Sequence, residues 1–267
     1  MKKIVYAVTA VVAFLNVSCS SDDNNDSNST EITTDYLPLS NNNYWVYDTN
    51  TNGADGALDS SARDSVYIAN DTVIGSFTYK KFKSRDTATG FFSGSLSGNA
   101  VRQSGSKLLV TGSTNIEISE TVPFSIAIND FAFFDANATT GQQIGTTSGT
   151  MQQNIQGFPL TFTYTLKTTA GENLNIYAVN GTNYTDVKTV ITTLRLKISF
   201  DLLSTVVLPE QNVVTSTQYF AEGIGAVKTS TDISYNLADI SIPGITLPIP
   251  QSATAHQDEI LDTYHAQ

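Results

Sequence analysis

The chain has 267 residues, with 25 acidic against 14 basic side chains and a formal net charge of −11. A surface of that sign repels nucleic acid and anionic lipid, so neither is expected as a partner held by charge. One cysteine excludes an intrachain disulfide, and only two histidines, His256 and His265, leave no ligand set at zinc spacing.

The chain opens with Lys2 and Lys3, followed by an apolar run from Ile4 to Leu15 and then Asn16-Val17-Ser18-Cys19. A positive start, a short apolar run and a small residue before the break have the form of a secretory signal peptide. The run is shorter than the ~20 residues a spanning helix needs. Residues 1–18 are therefore read as the signal, and Cys19 as the lipid-bearing first residue of the mature chain. Its thiol would take diacylglycerol and its freed amine a further acyl chain, an anchor worth ~0.8 kcal/mol per buried methylene. The expected partner is thus a membrane, reached through lipid.

Residues 19–35 are almost wholly Ser, Asn, Asp and Thr. Such a segment buries too little apolar surface to fold and reads as a tether, with an r.m.s. reach of roughly 20–24 Å. It begins Cys19-Ser-Ser-Asp22-Asp23-Asn-Asn-Asp26, which resembles the mature start of Bacteroidetes lipoproteins, especially those of flavobacteria. The resemblance implies that Asp22, Asp23 and Asp26 form an export signal to the outer face of the outer membrane.

From Tyr36 onward the pattern is that of one β-rich domain, residues 36–267. Leu160, Phe162, Tyr164 and Leu166 alternate with Thr161, Thr163, Thr165 and Lys167. Leu194, Leu196, Ile198, Phe200 and Leu202 alternate in the same way with Arg195, Lys197, Ser199 and Asp201. Period two with one polar face predicts half-buried antiparallel strands. Asn70-Asp71, Ser104-Gly105 and Asn180-Gly181 predict turns between strands. Gly223 and Gly225 predict a bulge or sharp bend, and Pro243, Pro248 and Pro250 an edge or extended segment. No convincing helix is expected; Phe124–Phe134 and Asp258–Tyr264 come nearest, and both are rich in strand formers. The expected class is all-β: an antiparallel meander forming a curved sheet, a sandwich or a partly open barrel.

Two longer blocks carry a resemblance to uncharacterised Bacteroidetes surface lipoproteins. One is Tyr36-Leu-Pro-Leu-Ser-Asn-Asn-Asn-Tyr44-Trp45-Val46-Tyr47. The other is Gly181-Thr-Asn-Tyr184-Thr-Asp-Val187 with Tyr219-Phe-Ala-Glu-Gly223-Ile-Gly225-Ala-Val227-Lys228. That group lends a scaffold and no activity.

Little else in the chain points to chemistry. A Ser-His-Asp site would have to recruit one of the two tail histidines. A glycosidase needs only two facing carboxylates, which spacing in the sequence cannot pick out. The stretch Asp48-Thr-Asn50-Thr-Asn52-Gly-Ala54-Asp-Gly-Ala-Leu-Asp59 matches the spacing of a calcium loop. Side-chain oxygens of Asp48, Asn50, Asn52 and Asp59 and the Ala54 carbonyl would be the ligands; a plain polar hairpin connection is the other reading. Trp45 and Tyr47 share one strand face, expected to be the core, although the aromatics of this strand could stack on a sugar.

The reading is an exported, lipid-anchored surface protein without enzymatic activity and without a bound cofactor beyond the calcium in question. Its partner is a protein or glycan that the sequence does not specify. Two alternatives remain: a hydrophobic-ligand carrier, which requires a lined cavity, and a carboxylate hydrolase, which requires paired acids in one cleft.

Overall fold

The computed structural model describes residues 35–53, 58–119, 122–155, 157–200, 205–239 and 250–267. Cys19, Asp22, Asp23, Asp26, Ala54, Pro243 and Pro248 lie outside them. The described residues form twelve strands and one short helix: β1 Tyr44–Asn52, β2 Leu58–Ile74, β3 Phe77–Ser84, α1 Phe91–Leu96, β4 Ala100–Ser104, β5 Lys107–Ser119, β6 Val122–Asp135, β7 Gln143–Ile155, β8 Phe158–Val179, β9 Thr182–Phe200, β10 Thr205–Ala221, β11 Gly225–Asn236 and β12 Ser252–His265.

All twelve belong to one antiparallel sheet in the order β6-β5-β4-β3-β2-β1-β12-β11-β10-β9-β8-β7. Every adjacent pair is consecutive in sequence except β1 and β12, the first and last strands, which pair from Tyr44↔His265 to Asn52↔His256. The sheet curls into a nearly closed barrel, and its two edges, β6 and β7, are also consecutive. Beside that seam the Thr168 hydroxyl of β8 donates to the Ala132 carbonyl of β6 at 2.7 Å. Closure removes most of the exposed edge that a flat sheet would offer to aggregation.

Strand alternation sorts the side chains between the two faces. Leu160, Phe162, Leu166, Leu194, Leu196, Ile198 and Phe200 are buried, while Thr163, Lys167 and Arg195 are exposed. The interior is mainly apolar, with a minority of buried polar side chains, and the outer face carries Thr, Ser, Lys and Asp. That is the reverse of a membrane-spanning barrel, whose apolar band faces outward. Trp45 and Tyr47 point inward from β1 as expected. The Trp45 indole donates to the Ile224 carbonyl at 2.6 Å and the Tyr47 hydroxyl to the Ala226 carbonyl at 3.0 Å. A Cβ at Gly225 would meet the Trp45 Nε1 at 2.9 Å, and Gly225 has φ +120°, so only glycine fits beneath the indole.

Two turn expectations hold. Asn180 and Gly181, with φ of 47° and 78°, reverse the chain between β8 and β9, and Gly105 reverses it between β4 and β5. Asn70-Asp71 is different: β2 runs through it to Ile74, the pairing with β3 slips between Ile68 and Asn70, and the reversal falls at Gly75. The slip lets β2 bend while Asp71 keeps an ion pair to Lys80 at 2.5 Å. Gly223 sits in the reversal between β10 and β11, with a slip beside it between Tyr219 and Phe220. Phe124–Phe134 lies in β6 and Asp258–Tyr264 in β12; neither is helical.

Candidate functional site

The connection from β3 to β4 does not turn tightly. It dips into the barrel as α1, Phe91–Leu96, whose Phe92, Ser93 and Leu96 are buried. The sequence Phe-Phe-Ser-Gly-Ser-Leu is a poor helix by propensity, and Gly90 at its start provides no side-chain cap. The first-turn N–H groups that a local cap would satisfy are met instead by side chains from distant strands. Asp64 of β2 accepts from the Thr89 and Gly90 amides at 3.0 and 2.7 Å and from the Ser93 hydroxyl at 2.5 Å. Glu259 of β12 accepts from the Phe92 and Ser93 amides at 2.6 and 3.0 Å, and Gln257 takes the Phe91 amide at 2.8 Å.

Asp64 and Glu259 are almost fully buried, at 4% and 0% exposure. Among the described residues no cation pairs with either; the cross-strand neighbours of Glu259 are Thr49 and Thr229. Burial pushes the Glu259 carboxyl up to about 7, the Phe92 and Ser93 amides pull it down, and the Asp64 carboxylate adds to the rise. A folded-state value above the unfolded one means that the stability from this group is present below about pH 4.5 and is lost as pH rises through about 7. The full swing is on the order of 3 kcal/mol. In Glu259→Gln that component should vanish from a plot of melting temperature against pH. The amide should carry only a constant cost for the acceptor it lacks. A variant whose pH profile parallels the parent's would contradict the assignment.

Helix α1 separates two spaces. On its inner side lies an apolar void of about 60 Å³, walled by Phe91, Phe92 and Leu96 from the helix and by Ile128, Phe131 and Phe220 among the strand residues. The polar atoms around it are already engaged. Ser95 donates to the Phe91 carbonyl, Thr168 to the Ala132 carbonyl, Thr192 to Gln218, and Gln218 to Ser216. On the outer side is an open polar cleft of about 720 Å³, lined by residues that include Thr51, Ser84, Asp86, Thr89, Asn115 and Gln257. Phe91 borders both spaces.

The described residues of the calcium-spaced stretch fall on the paired strands β1 and β2 and the residue after β1. Asp48 and Asn50 lie on the outer face of β1 opposite Arg63 and Ser61, Asn52 ends β1, and Asp59 follows the first residue of β2. Asp48 pairs with the Arg63 guanidinium at 2.6 Å, and Arg63 also binds Asp262. The Asp59 carboxylate lies against Gly53. Among the described residues no three His, Cys, Asp or Glu side chains are grouped as metal ligands.

His256 has the neighbours a triad would need. Its Nδ1 is 2.7 Å from Asp232, and its Nε2 is 3.5 Å from the Ser230 hydroxyl and 3.6 Å from Asp258. The bond to Asp232 and the charge of Asp258 hold the imidazole above its usual range, which favours the cation over the free base a nucleophile requires. Ser230 and His256 stand on neighbouring strands, β11 and β12, whose N–H groups are spent in the ladder. His265 stacks on Tyr44 with ring centroids 6.0 Å apart.

The sequence reading missed the Asp64–Glu259 pair, although a signal was there. Asp64 shares strand parity with Val66 and Ile68, and Glu259 with Leu261, so both acids sit at inward positions.

No helix of the described residues is long and apolar enough to cross a membrane. No family model matches the chain, and no curated protein does. The fold is similar to the crystal structure of a provisionally assigned lipoprotein from Parabacteroides distasonis, at 10% identity and a TM-score of 0.41, over 87% of this chain and 99% of that one.

Proposed function

We propose that this chain is an exported lipoprotein, anchored at the outer membrane through Cys19 and facing outward, whose barrel binds a partner and catalyses nothing. The observation that carries the non-enzymatic reading is the use of the buried acids. Asp64 and Glu259 are the paired carboxylates a hydrolase would call for, and both are closed off from solvent with their oxygens committed to the start of α1. The bond to Asp232 and the charge of Asp258 draw the His256 imidazole toward its cation, which counts against its use as a base. The anchor and the outward orientation rest on the sequence: the signal of residues 1–18, the cysteine, and Asp22, Asp23 and Asp26 behind it.

A second reading, carriage of an apolar ligand, is favoured by one feature, the void under α1 with its phenylalanine walls. At about 60 Å³ it is far below the ~300–1,000 Å³ of ligand pockets, so it serves a carrier only if α1 moves.

Fractionation and protease treatment of intact cells test the first reading together. The parent chain should enter the membrane fraction and be digested from outside. Cys19→Ala should appear in the soluble fraction, and replacing Asp22, Asp23 and Asp26 with Ala should protect the protein from added protease. A Cys19→Ala chain that stays membrane-bound would remove the anchor from the account, and full protection of the parent would turn the protein inward.

A further inference from the structure

We propose that the space filled by α1 is a binding site for a single alkyl chain, and that Asp64 and Glu259 are the latch that holds the helix over it. The proposal deepens the carrier reading and rests on it.

The geometry makes α1 a partition. It has an open polar cleft on one side and a carbon-lined void on the other, and Phe91 borders both. Moving the helix out would withdraw Phe91, Phe92 and Leu96 and join the void to the cleft, enlarging it toward the size of a ligand pocket. The strand residues left behind include Val110, Ile128, Phe131, Phe133, Leu166 and Phe220. The hydroxyls and amide nearby already have partners within the barrel, so a polar ligand would find few free groups there. An unbranched alkyl chain asks for none. Dry voids walled by Leu, Ile and Phe are known to take up small apolar molecules.

The helix is also built to be released. It has six residues, two of them serine and one glycine, and no side-chain cap of its own. Its first turn is held chiefly by the two carboxylates and Gln257. The titratable groups facing Glu259 are Asp64 from β2 and Tyr47 from β1, whose hydroxyl burial and the Glu259 charge hold well above its usual range. Helix α1 brings no titratable group, and the β11 neighbour is Thr229. An ionised Glu259 is therefore buried beside another carboxylate, with no cation against it among the described residues. Lifting α1 returns it to water and relieves both costs.

The sign follows from linkage. With Glu259 titrating near 7 when latched and near 4.5 when hydrated, the open fraction rises between these values and levels off above the higher one. From about pH 5.5 to about pH 8 the opening constant should grow about tenfold or more.

The test uses the full-length Cys19→Ala chain, which carries no acyl group of its own and needs no detergent. The ligand is N-phenylnaphthylamine, an uncharged apolar fluorophore whose own charge is constant over this range. Saturable binding of one probe per chain is expected, about tenfold or more tighter at pH 8 than at pH 5.5. With Glu259→Gln added, affinity should be the same at both pH values. With Phe92→Ala added, which shrinks the plug, binding should tighten at both. Saturable binding with equal pH dependence in the parent and in Glu259→Gln would overturn the latch and leave the carrier reading standing. No saturable binding by a Phe92→Ala chain that still melts cooperatively would overturn both, while the membrane anchor would stand or fall by fractionation alone.

Discussion

Phe220→Ala is expected to cost about 3–5 kcal/mol of unfolding free energy, the range for truncating a buried phenylalanine. Phe220 is fully buried, and its ring lies 4.8 Å from Phe134, 5.7 Å from Phe92 and 6.4 Å from Phe133. It therefore joins β10 to β6 and to α1, which the connecting chain does not bring together locally. It also walls the void under the helix, so the space it vacates merges with one already empty and the surroundings cannot collapse to fill both. A denaturant titration should show a lower midpoint with an unchanged slope. A loss under about 1 kcal/mol would mean that the aromatic cluster is not packed as described.

Asp64→Ala is expected to be nearly as damaging, at about 2–5 kcal/mol, for a different reason. It strands the Gly90 amide and the Ser93 hydroxyl in a buried place, while the Thr89 amide is left at the edge of the cleft, and each buried group left without a partner costs about 1–3 kcal/mol. Removing the Asp64 charge relieves Glu259 and offsets part of the loss. Asp64→Asn retains one acceptor oxygen and should recover part of the stability. Amide hydrogen exchange locates the effect: residues 89–96 should lose protection first in Asp64→Ala, before the strands of the barrel wall. Uniform loss across the chain would show that α1 is not held as a separate unit.

The β class and the faces of its strands were legible because alternation is a local property. Leu160, Phe162 and Leu166, like Leu194, Leu196 and Ile198, lie inward as their spacing requires. The Asn180-Gly181 reversal was legible because the dipeptide suits the two positive φ angles of that turn. Asn70-Asp71 misled because the same residues that suit turns also suit a slip within a long hairpin, and Gly75 was at hand to make the reversal.

Closure of the barrel was not legible. The pairing of β1 with β12 joins residues some two hundred positions apart, and no local pattern fixes which strands end as neighbours. Helix α1 escaped notice for a related reason. Its own sequence argues against a helix, and the groups that satisfy its first turn come from β2 and β12. The acids that hold it were visible only as charges at inward parity, a sign that reads as an error until something inside is found for them to bind.

A lipid anchor and a surface location both depend on Cys19, and the mass of the mature N-terminus tests this most directly. Mass spectrometry of the protein purified from membranes should show a first residue at Cys19, with diacylglycerol on its thiol and an acyl chain on its amine. A mature chain that still begins at Met1, or one that carries an unmodified Cys19, would contradict the account.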